Sequence, residues 1–147
     1  MPNNGIHNLT EENLSHFYGS QSYMNHRTKK VVMTDGVQFV DNNNCGWLID
    51  IIASHQSDSL QKKSKGFQFW KLRKIENDPK FMAVVTCEDG NYRPLVEQKV
   101  PFTDFPFDRL LEGLDFYVEF GSVDGVNPCW VCMLTSERYI AGLNFLG

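Results

Sequence analysis

Long apolar runs and a net positive charge are both missing from this sequence. No run approaches the ~20 apolar residues that cross a bilayer. The first residues, MPNNGIHNLTEEN, lack the basic and apolar segments of a secretory signal peptide. The formal net charge is -4, so no global positive field attracts nucleic acid or an anionic membrane. We therefore predict a soluble, cytoplasmic protein without a membrane partner.

Cysteine is also scarce, and its spacing supports no metal site. The four cysteines are too few for a disulfide framework in 147 residues, and in the cytoplasm we expect free thiols. Cys129 and Cys132 form a C-W-V-C motif within an apolar run, where strand alternation directs the two sulfur atoms to opposite faces. No second CxxC or HxxxH pair completes a zinc site, and no phosphate-binding loop occurs. We predict no metal and no cofactor.

Apolar residues, by contrast, are plentiful enough for a folded core. Hydrophobic residues make up 41% of the chain and aromatic residues 13%, including 11 phenylalanines. This composition excludes disorder for the whole chain, and the length is typical of one domain. No repeat or linker divides the sequence, so we predict a single domain over residues 1–147, with residues 1–8 flexible.

The first half of the chain has helical patterns. NLTEENLSHFYGS predicts a short helix that Thr10 caps and Gly19 ends. CGWLIDIIASHQ predicts the clearest helix, capped by Asn44, and TDGVQFV predicts a turn or cap followed by one helical turn. SDSLQKKSKG is predicted to be a polar loop. The expected buried face of the clearest helix consists of Trp47, Leu48, Ile51, Ile52 and His55.

The second half is rich in β-branched and aromatic residues, with turn signals between the runs. The five predicted strands are GFQFWKLRKI, KFMAVVTCED, LVEQKVPF, DFYVEFGS and CWVCMLTSERY, with a short helix through Leu110 and Leu111 after the third. The fold class is therefore α+β. We expect N-terminal helices packed on one face of a mainly antiparallel sheet of about 4-5 strands.

Several stretches together resemble an uncharacterised family, a domain of unknown function of bacterial, cyanobacterial, plasmid and phage proteins. The resemblance covers roughly residues 14 to 139, and it implies no activity. The chain differs from the family pattern in GLDFYVEFGSVDGVNPCW, which is longer, and the pattern requires no cysteine at Cys45. The matching stretches are HFYGSQSYMNH, MTDGVQFV, GWLIDIIASHQ, FQFWKL, AVVTCEDG, VPFTDFPF and VCMLTSERY.

The stretch DNNNCGWLID is the candidate for an enzyme site. A thiol at a helix N-terminus can have a lowered pKa, but a cysteine nucleophile also needs a base within hydrogen-bond reach. His55 lies ten residues further along the predicted helix, about 15 Å from Cys45 by helical rise, which is too far. His16 and His26, which both precede Cys45 in the sequence, are the remaining candidate bases. We predict no catalytic site, and an enzyme that uses Cys45 with His26 stays an alternative.

The stretch KKSKGFQFWKLRK is the candidate for a nucleic-acid site. Basic and aromatic residues together are what single-stranded nucleic-acid platforms use. The other interpretation is a loop entering a strand, with rings in the core and lysines in water. The candidate binding residues are Lys62, Lys63, Lys65, Trp70, Lys71, Arg73 and Lys74.

No complete catalytic, metal or cofactor site can be assembled from these motifs, whereas aromatic residues, which interfaces use as anchors, are abundant. We therefore predict a small non-catalytic protein-binding or accessory domain, of mobile-element origin in line with the resemblance. The expected partner is another protein or a second copy of the chain. Nucleic-acid binding and a cysteine enzyme are the alternatives.

Overall fold

The computed structural model describes residues 5–138 and 144–145, which form an α+β fold. Its helices are α1 (Glu11–Leu14), α2 (Asp35–Val40), α3 (Gly46–Ser54) and α4 (Asp58–Ser64). Its strands are β1 (Met24–Asn25), β2 (Val32–Met33), β3 (Phe67–Lys74), β4 (Ala83–Glu88), β5 (Pro94–Val100), β6 (Leu114–Ser122), β7 (Cys129–Leu134) and β8 (Asn144–Phe145).

The strands form one mixed sheet in the order β1-β2-β7-β6-β3-β4-β5, and β8 pairs with β6. The five long strands that the sequence predicts pair antiparallel with one another. The predicted number of strands is too low, because β1, β2 and β8 have two residues each and are too short to show alternation. The predicted pairing is also incomplete, since β2 runs parallel to β7.

The inner face of the sheet carries the core. Along β3, Gln68, Trp70 and Leu72 are fully buried, and the residues between them, Phe69 and Lys71, are half-buried. The helices pack on this side, as two contacts show. The His55 ring lies 5.8 Å from the Trp70 ring, and the Gln56 side chain donates to Gln68 Oε1 at 2.7 Å. Alternation therefore leaves the other face of β3 directed away from the helices.

Helix α3 begins differently from the prediction. Asn44 has a left-handed backbone (φ 63°) inside an irregular turn, so Cys45 and not Asn44 is the N-cap residue. The neighbouring Asn43 is buried and accepts hydrogen bonds from Gly5 N (3.0 Å) and Asn8 Nδ2 (2.9 Å). The asparagines of DNNNC therefore shape the turn and hold the N-terminal segment. The buried residues of α3 are Leu48, Ile49, Ile52 and Ala53, a face rotated from the predicted one.

Three further local predictions need correction. Thr10 caps α1 as predicted, but the helix ends at Leu14, and Tyr18 beyond it is 79% exposed. The predicted loop SDSLQKKSKG contains α4, which Ser57 caps by accepting from Leu60 N at 3.1 Å. The predicted helix through Leu110 and Leu111 is a series of turns, and Leu111 is 75% exposed.

Residues near both ends of the segment 5–138 contact the rest of the fold. Residues 6–8 lie within the segment predicted to be flexible, and Ile6–Asn8 forms a 3-10 helix; residues 1–4 lie outside the described residues. At the other end, the buried Glu137 carboxylate accepts from Thr34 Oγ1 (2.6 Å) and from Gly36 N (3.0 Å). This carboxylate joins the end of β7 to the start of α2.

None of the helices in these ranges combines the length and the apolar character that a bilayer crossing requires.

Candidate functional site

The outer face of the sheet, on the side away from the helices, carries three half-buried rings. We call the cluster of Phe67, Phe69 and Tyr117 the ring cluster. Both phenylalanine ring centroids lie 5.2 Å from that of Tyr117, with tilted planes. The register explains this, because Phe69 is directly opposite Tyr117 in the β3–β6 pairing. Alternation along FQF therefore builds an aromatic surface in the middle of the sheet.

Cations lie against these rings. The Arg138 guanidinium is 4.9 Å from the Phe67 centroid and 5.2 Å from that of Tyr117. Lys71 Nζ lies 4.7 Å from the Phe69 centroid. Cation–π attraction of this kind contributes about 0.5–1 kcal/mol at exposed sites. The outer face therefore combines apolar surface with fixed positive groups.

Each of these cations also has an acidic partner. Arg138 Nη2 lies 2.7 Å from Glu119 Oε1, and Lys71 Nζ lies 3.2 Å from Glu88 Oε1. Lys71 and Glu88 form an ion pair without a hydrogen bond. Glu88 Oε1 is buried and has no hydrogen-bond partner among the described residues. The charges of the outer face are thus balanced locally.

The Glu119 carboxylate, which pairs with Arg138, is almost fully buried. Burial raises the pKa of this carboxyl above its usual range, and the Arg138 charge and hydrogen bond oppose that rise. Its Oε2 atom has no hydrogen-bond partner within the described part of the chain. The buried carboxylate holds the Arg138 guanidinium over the rings.

The seven residues of the predicted nucleic-acid site do not share one face. Lys71 and Arg73 lie on the outer face, where Arg73 Nη1 is 2.6 Å from Asp115 Oδ1. Lys74 is the last residue of β3, and alternation places it on the inner face; its Nζ lies 3.6 Å from Glu76 Oε1. Lys62, Lys63 and Lys65 are exposed on α4 and at its C-cap. The outer-face members of the basic stretch are therefore already paired with carboxylates.

Trp70 lies on the inner face and has no exposed surface. Its Nε1 atom donates to Gln68 Oε1 at 2.8 Å, and Gln68 in turn donates to Gln56 Oε1 at 3.0 Å. A nucleic-acid base has no access to this ring in the folded protein. The structure assigns Trp70 to the core and the neighbouring Phe69 to the surface.

Cys45 lies fully buried at the start of α3. Burial raises the pKa of its thiol to about 12, and the negative charges of Asp104 and Asp41 contribute to the increase. A nucleophilic thiol needs the opposite shift and an open approach. This environment favours the core interpretation of DNNNCGWLID.

His26 is buried, and both of its ring nitrogens have partners. Nε2 lies 2.7 Å from Asp50 Oδ1, and Nδ1 lies 2.9 Å from Thr28 Oγ1 and accepts from the Thr28 amide at 3.2 Å. Arg27 binds the second oxygen of the same aspartate at 2.6 Å. Neither nitrogen is therefore available to the Cys45 thiol. The arrangement fastens the turn between β1 and β2 to α3.

The C-W-V-C residues lie on β7, at positions that alternate between the two faces. Burial raises the thiol pKa of both Cys129 and Cys132. Over residues 5–138 and 144–145, no three His, Cys, Asp or Glu side chains come close enough to hold a metal ion.

A cleft of about 480 Å³ opens on the inner side, between the β1–β2 turn, α4 and the start of β7. Lys29 and Lys30 contribute cations to it, Asp58 an acid, and Trp130 a half-buried ring. The glutamines of its floor are already hydrogen-bonded to one another or to backbone. The buried side-chain polar atoms without a hydrogen-bond partner within the described residues belong to Glu88 and Glu119, and neither residue lines this cleft.

The sequence analysis singled out the stretch that contributes the β3 residues of the outer face, but not the residues that come from elsewhere in the chain. Period-two alternation in FQFWKLRK separates Phe67, Phe69, Lys71 and Arg73 from Trp70, and this signal could have identified the ring cluster. Tyr117 and Arg138 come from distant parts of the chain. The strand register brings Tyr117 to Phe69, and the cation–π contacts of Arg138 place it over the rings.

The comparisons with known proteins give one match. The profile of a family of unknown function (DUF6876) matches residues 8–138, which is most of the chain. No match is found among curated proteins or solved structures.

Proposed function

The chain belongs to the DUF6876 family of unknown function, and we propose that it is a non-catalytic protein-binding domain that uses the outer face of its sheet. The observation that carries this proposal is the ring cluster with its balanced charges. Aromatic residues and arginine are the groups on which protein interfaces depend most. Phe67, Phe69 and Tyr117 provide the rings, and Arg138 lies across two of them.

The charge pattern favours a protein over a nucleic acid. A phosphate backbone requires cations that are free to replace its counterions. On the outer face, Lys71, Arg73 and Arg138 each lie within 3.2 Å of a carboxylate oxygen. A protein surface with its own mixture of apolar and charged groups matches such a face better. The proposed setting is the cytoplasm, in an accessory protein of a mobile element, and the four free cysteines are consistent with a reducing compartment.

A comparison of tagged variants, each used to capture partners from the native host, tests the proposal. Phe69→Asp places a charge in the ring cluster, whereas Val126→Asp adds the same charge to an exposed loop residue (80% exposed) and is the matched control. We expect a protein that binds the wild type and the control but is lost with Phe69→Asp. Nuclease treatment leaves this capture unchanged.

A second variant separates binding from folding. Phe69→Asp also removes ring packing, whereas Thr86→Arg adds bulk on the same face, where Thr86 is opposite Lys71 in the β3–β4 pairing. Circular dichroism confirms that each variant is folded. Capture of the same proteins by the wild type and both outer-face variants would overturn the proposal, as would a partner that nuclease removes.

A further inference from the structure

Strand β5 ends the sheet, and its outer edge has no strand neighbour within residues 5–138 and 144–145. It is a long edge of seven residues, Pro94–Val100. Unpaired backbone groups along such an edge are a template for another strand. A groove of about 450 Å³ lies where β5 meets β4, and its lining includes Cys87 and Glu88 as well as Leu95 and Val96. A partner strand would cover the unpaired edge.

The side chains of β5 alternate in a self-complementary way. Glu97 and Lys99 are exposed and point to the outer face, opposite Thr86 and Val84 of β4. Val96, Gln98 and Val100 point to the inner face, where Gln98 Oε1 lies 2.7 Å from His55 Nε2. One acid and one base therefore flank a central inward-facing residue.

We infer that β5 pairs antiparallel with β5 of a second copy about a two-fold axis at Gln98. In this register Glu97 of each copy is opposite Lys99 of the other, and Val96 is opposite Val100. Two cross-strand ion pairs form on the outer face, and two apolar pairs form on the inner face. The backbone hydrogen bonds of the new ladder supply affinity, as in other cases of β-strand addition.

The charged residues of β5 favour this register over the registers shifted by one residue. A two-fold axis perpendicular to the sheet keeps outer residues opposite outer residues, so the centre can shift only by whole residues. An axis at Glu97 places two glutamates opposite each other, and an axis at Lys99 places two lysines opposite each other. Like charges in directly opposite positions are destabilising. Centring on Gln98 is the arrangement that matches both charged residues with opposite charges.

The contact is limited in length. A register irregularity between β4 and β5 near Glu88 interrupts regular pairing before Val96, so the ladder extends over Val96–Val100. Beyond its end, Phe102 is 78% exposed and in this register approaches Pro94 of the other copy. This dimer uses the edge of the sheet and does not rest on the protein-binding role proposed for its outer face.

The test is a set of charge exchanges, followed by sedimentation velocity from about 1 µM to about 1 mM, a range that covers weak dimers. E97K and K99E each place like charges opposite each other twice. We expect each to weaken dimerisation about tenfold or more, because two pairs change from attraction to repulsion. The double exchange E97K/K99E restores both pairs and with them the dimer.

A mixture of E97K and K99E provides the sharpest readout. In the mixed dimer every opposite position joins a lysine and a glutamate, so the two weakened variants associate with each other in preference to themselves. Both residues are exposed, and thermal melts confirm that the variants stay folded. A monomeric wild type at the highest concentration overturns the inference. A dimer that is unaffected by the single exchanges, or not restored by the double exchange, overturns it equally.

Discussion

At the scale of single residues, Gly36 lies in a closely packed environment. A Cβ atom built on it would lie 2.5 Å from Leu134 Cδ1 and 2.6 Å from Glu137 Oε1. The carboxylate has little freedom to move, because it is fully buried and also accepts from Thr34 Oγ1 and Leu134 N. The glycine of the TDG turn is therefore required by close packing and not by a left-handed backbone.

The first prediction is that Gly36→Ala destabilises the fold by about 1–3 kcal/mol, the usual cost of overpacking. The matched control is Gly19→Ala, where the new methyl group has no neighbour within 4 Å. Urea unfolding measures both free energies. If the two variants unfold at the same urea concentration, the packing of Glu137 against α2 is not as described.

The second prediction concerns the cysteines. With its pKa raised to about 12 by burial, the Cys45 thiol has only about 0.1% thiolate at pH 9. We expect iodoacetamide to modify the half-exposed Cys129 of the native protein first, and Cys45 only after denaturation. Mass spectrometry of each cysteine between about pH 5 and pH 9 measures this. Fast native labelling of Cys45 with a midpoint below the ordinary ~8.5 would revive the enzyme alternative.

At this scale, the sequence predicted the roles of residues whose partners are close in the chain. It did not predict the roles that depend on distant residues. Thr10 as an N-cap followed from local sequence, because capping involves only the next three residues. The roles of Asn44 and Gly36 did not, since both depend on contacts or turns set by other parts of the chain. Trp70 and Phe69 are neighbours in the sequence, and only the direction of alternation separates core from surface.

At the scale of elements, long strands were easier to predict than short helices. The period-two patterns of β3, β4 and β6 predicted three strands whose pairing the structure shows. Helix α4 was missed because its seven residues contain two lysines, two serines and one leucine, a composition without a clear apolar stripe. Its one fully local signal was Ser57 with Asp58 in the first turn, which is typical of a helix start.

The third prediction tests that start. Ser57→Ala removes the acceptor for Leu60 N, and we expect a loss of about 1 kcal/mol in the free energy of unfolding. Ser59→Ala lies inside the same helix at an exposed position, where alanine is favourable, and serves as the control. Chemical denaturation compares the two. An equal effect of both substitutions would show that Ser57 does not cap α4.

At the scale of the whole molecule, the two faces of the sheet have different roles. Its inner face binds the helices through the core and the glutamine network. Its outer face carries the ring cluster and paired charges, and its β5 edge carries the alternating Glu97 and Lys99. A mixed sheet was beyond sequence reasoning, because the parallel β2–β7 pairing joins segments about 100 residues apart through two-residue contacts.

The ion pairs of the outer face also distinguish a protein-binding function from the nucleic-acid-binding alternative. Because the outer-face cations have carboxylate partners, the fourth prediction is negligible binding of a single-stranded oligonucleotide by fluorescence anisotropy, even at about 50 mM salt. The Lys74→Ala variant should behave as the wild type does. Binding that weakens steeply with salt would support the alternative instead.

Site-specific photo-crosslinking in the native host tests the central claim most directly. A benzophenone amino acid replaces Phe69 in one variant and Val126 in the other, so that the same probe lies on the outer face or on a distant exposed loop. The fifth prediction is a covalent adduct of defined mass with a partner protein from the Phe69 position. Unmodified protein competes this adduct away, and the Val126 position does not form it. Equal adducts from both positions, or none from Phe69, would contradict the assignment of the outer face as a protein-binding surface.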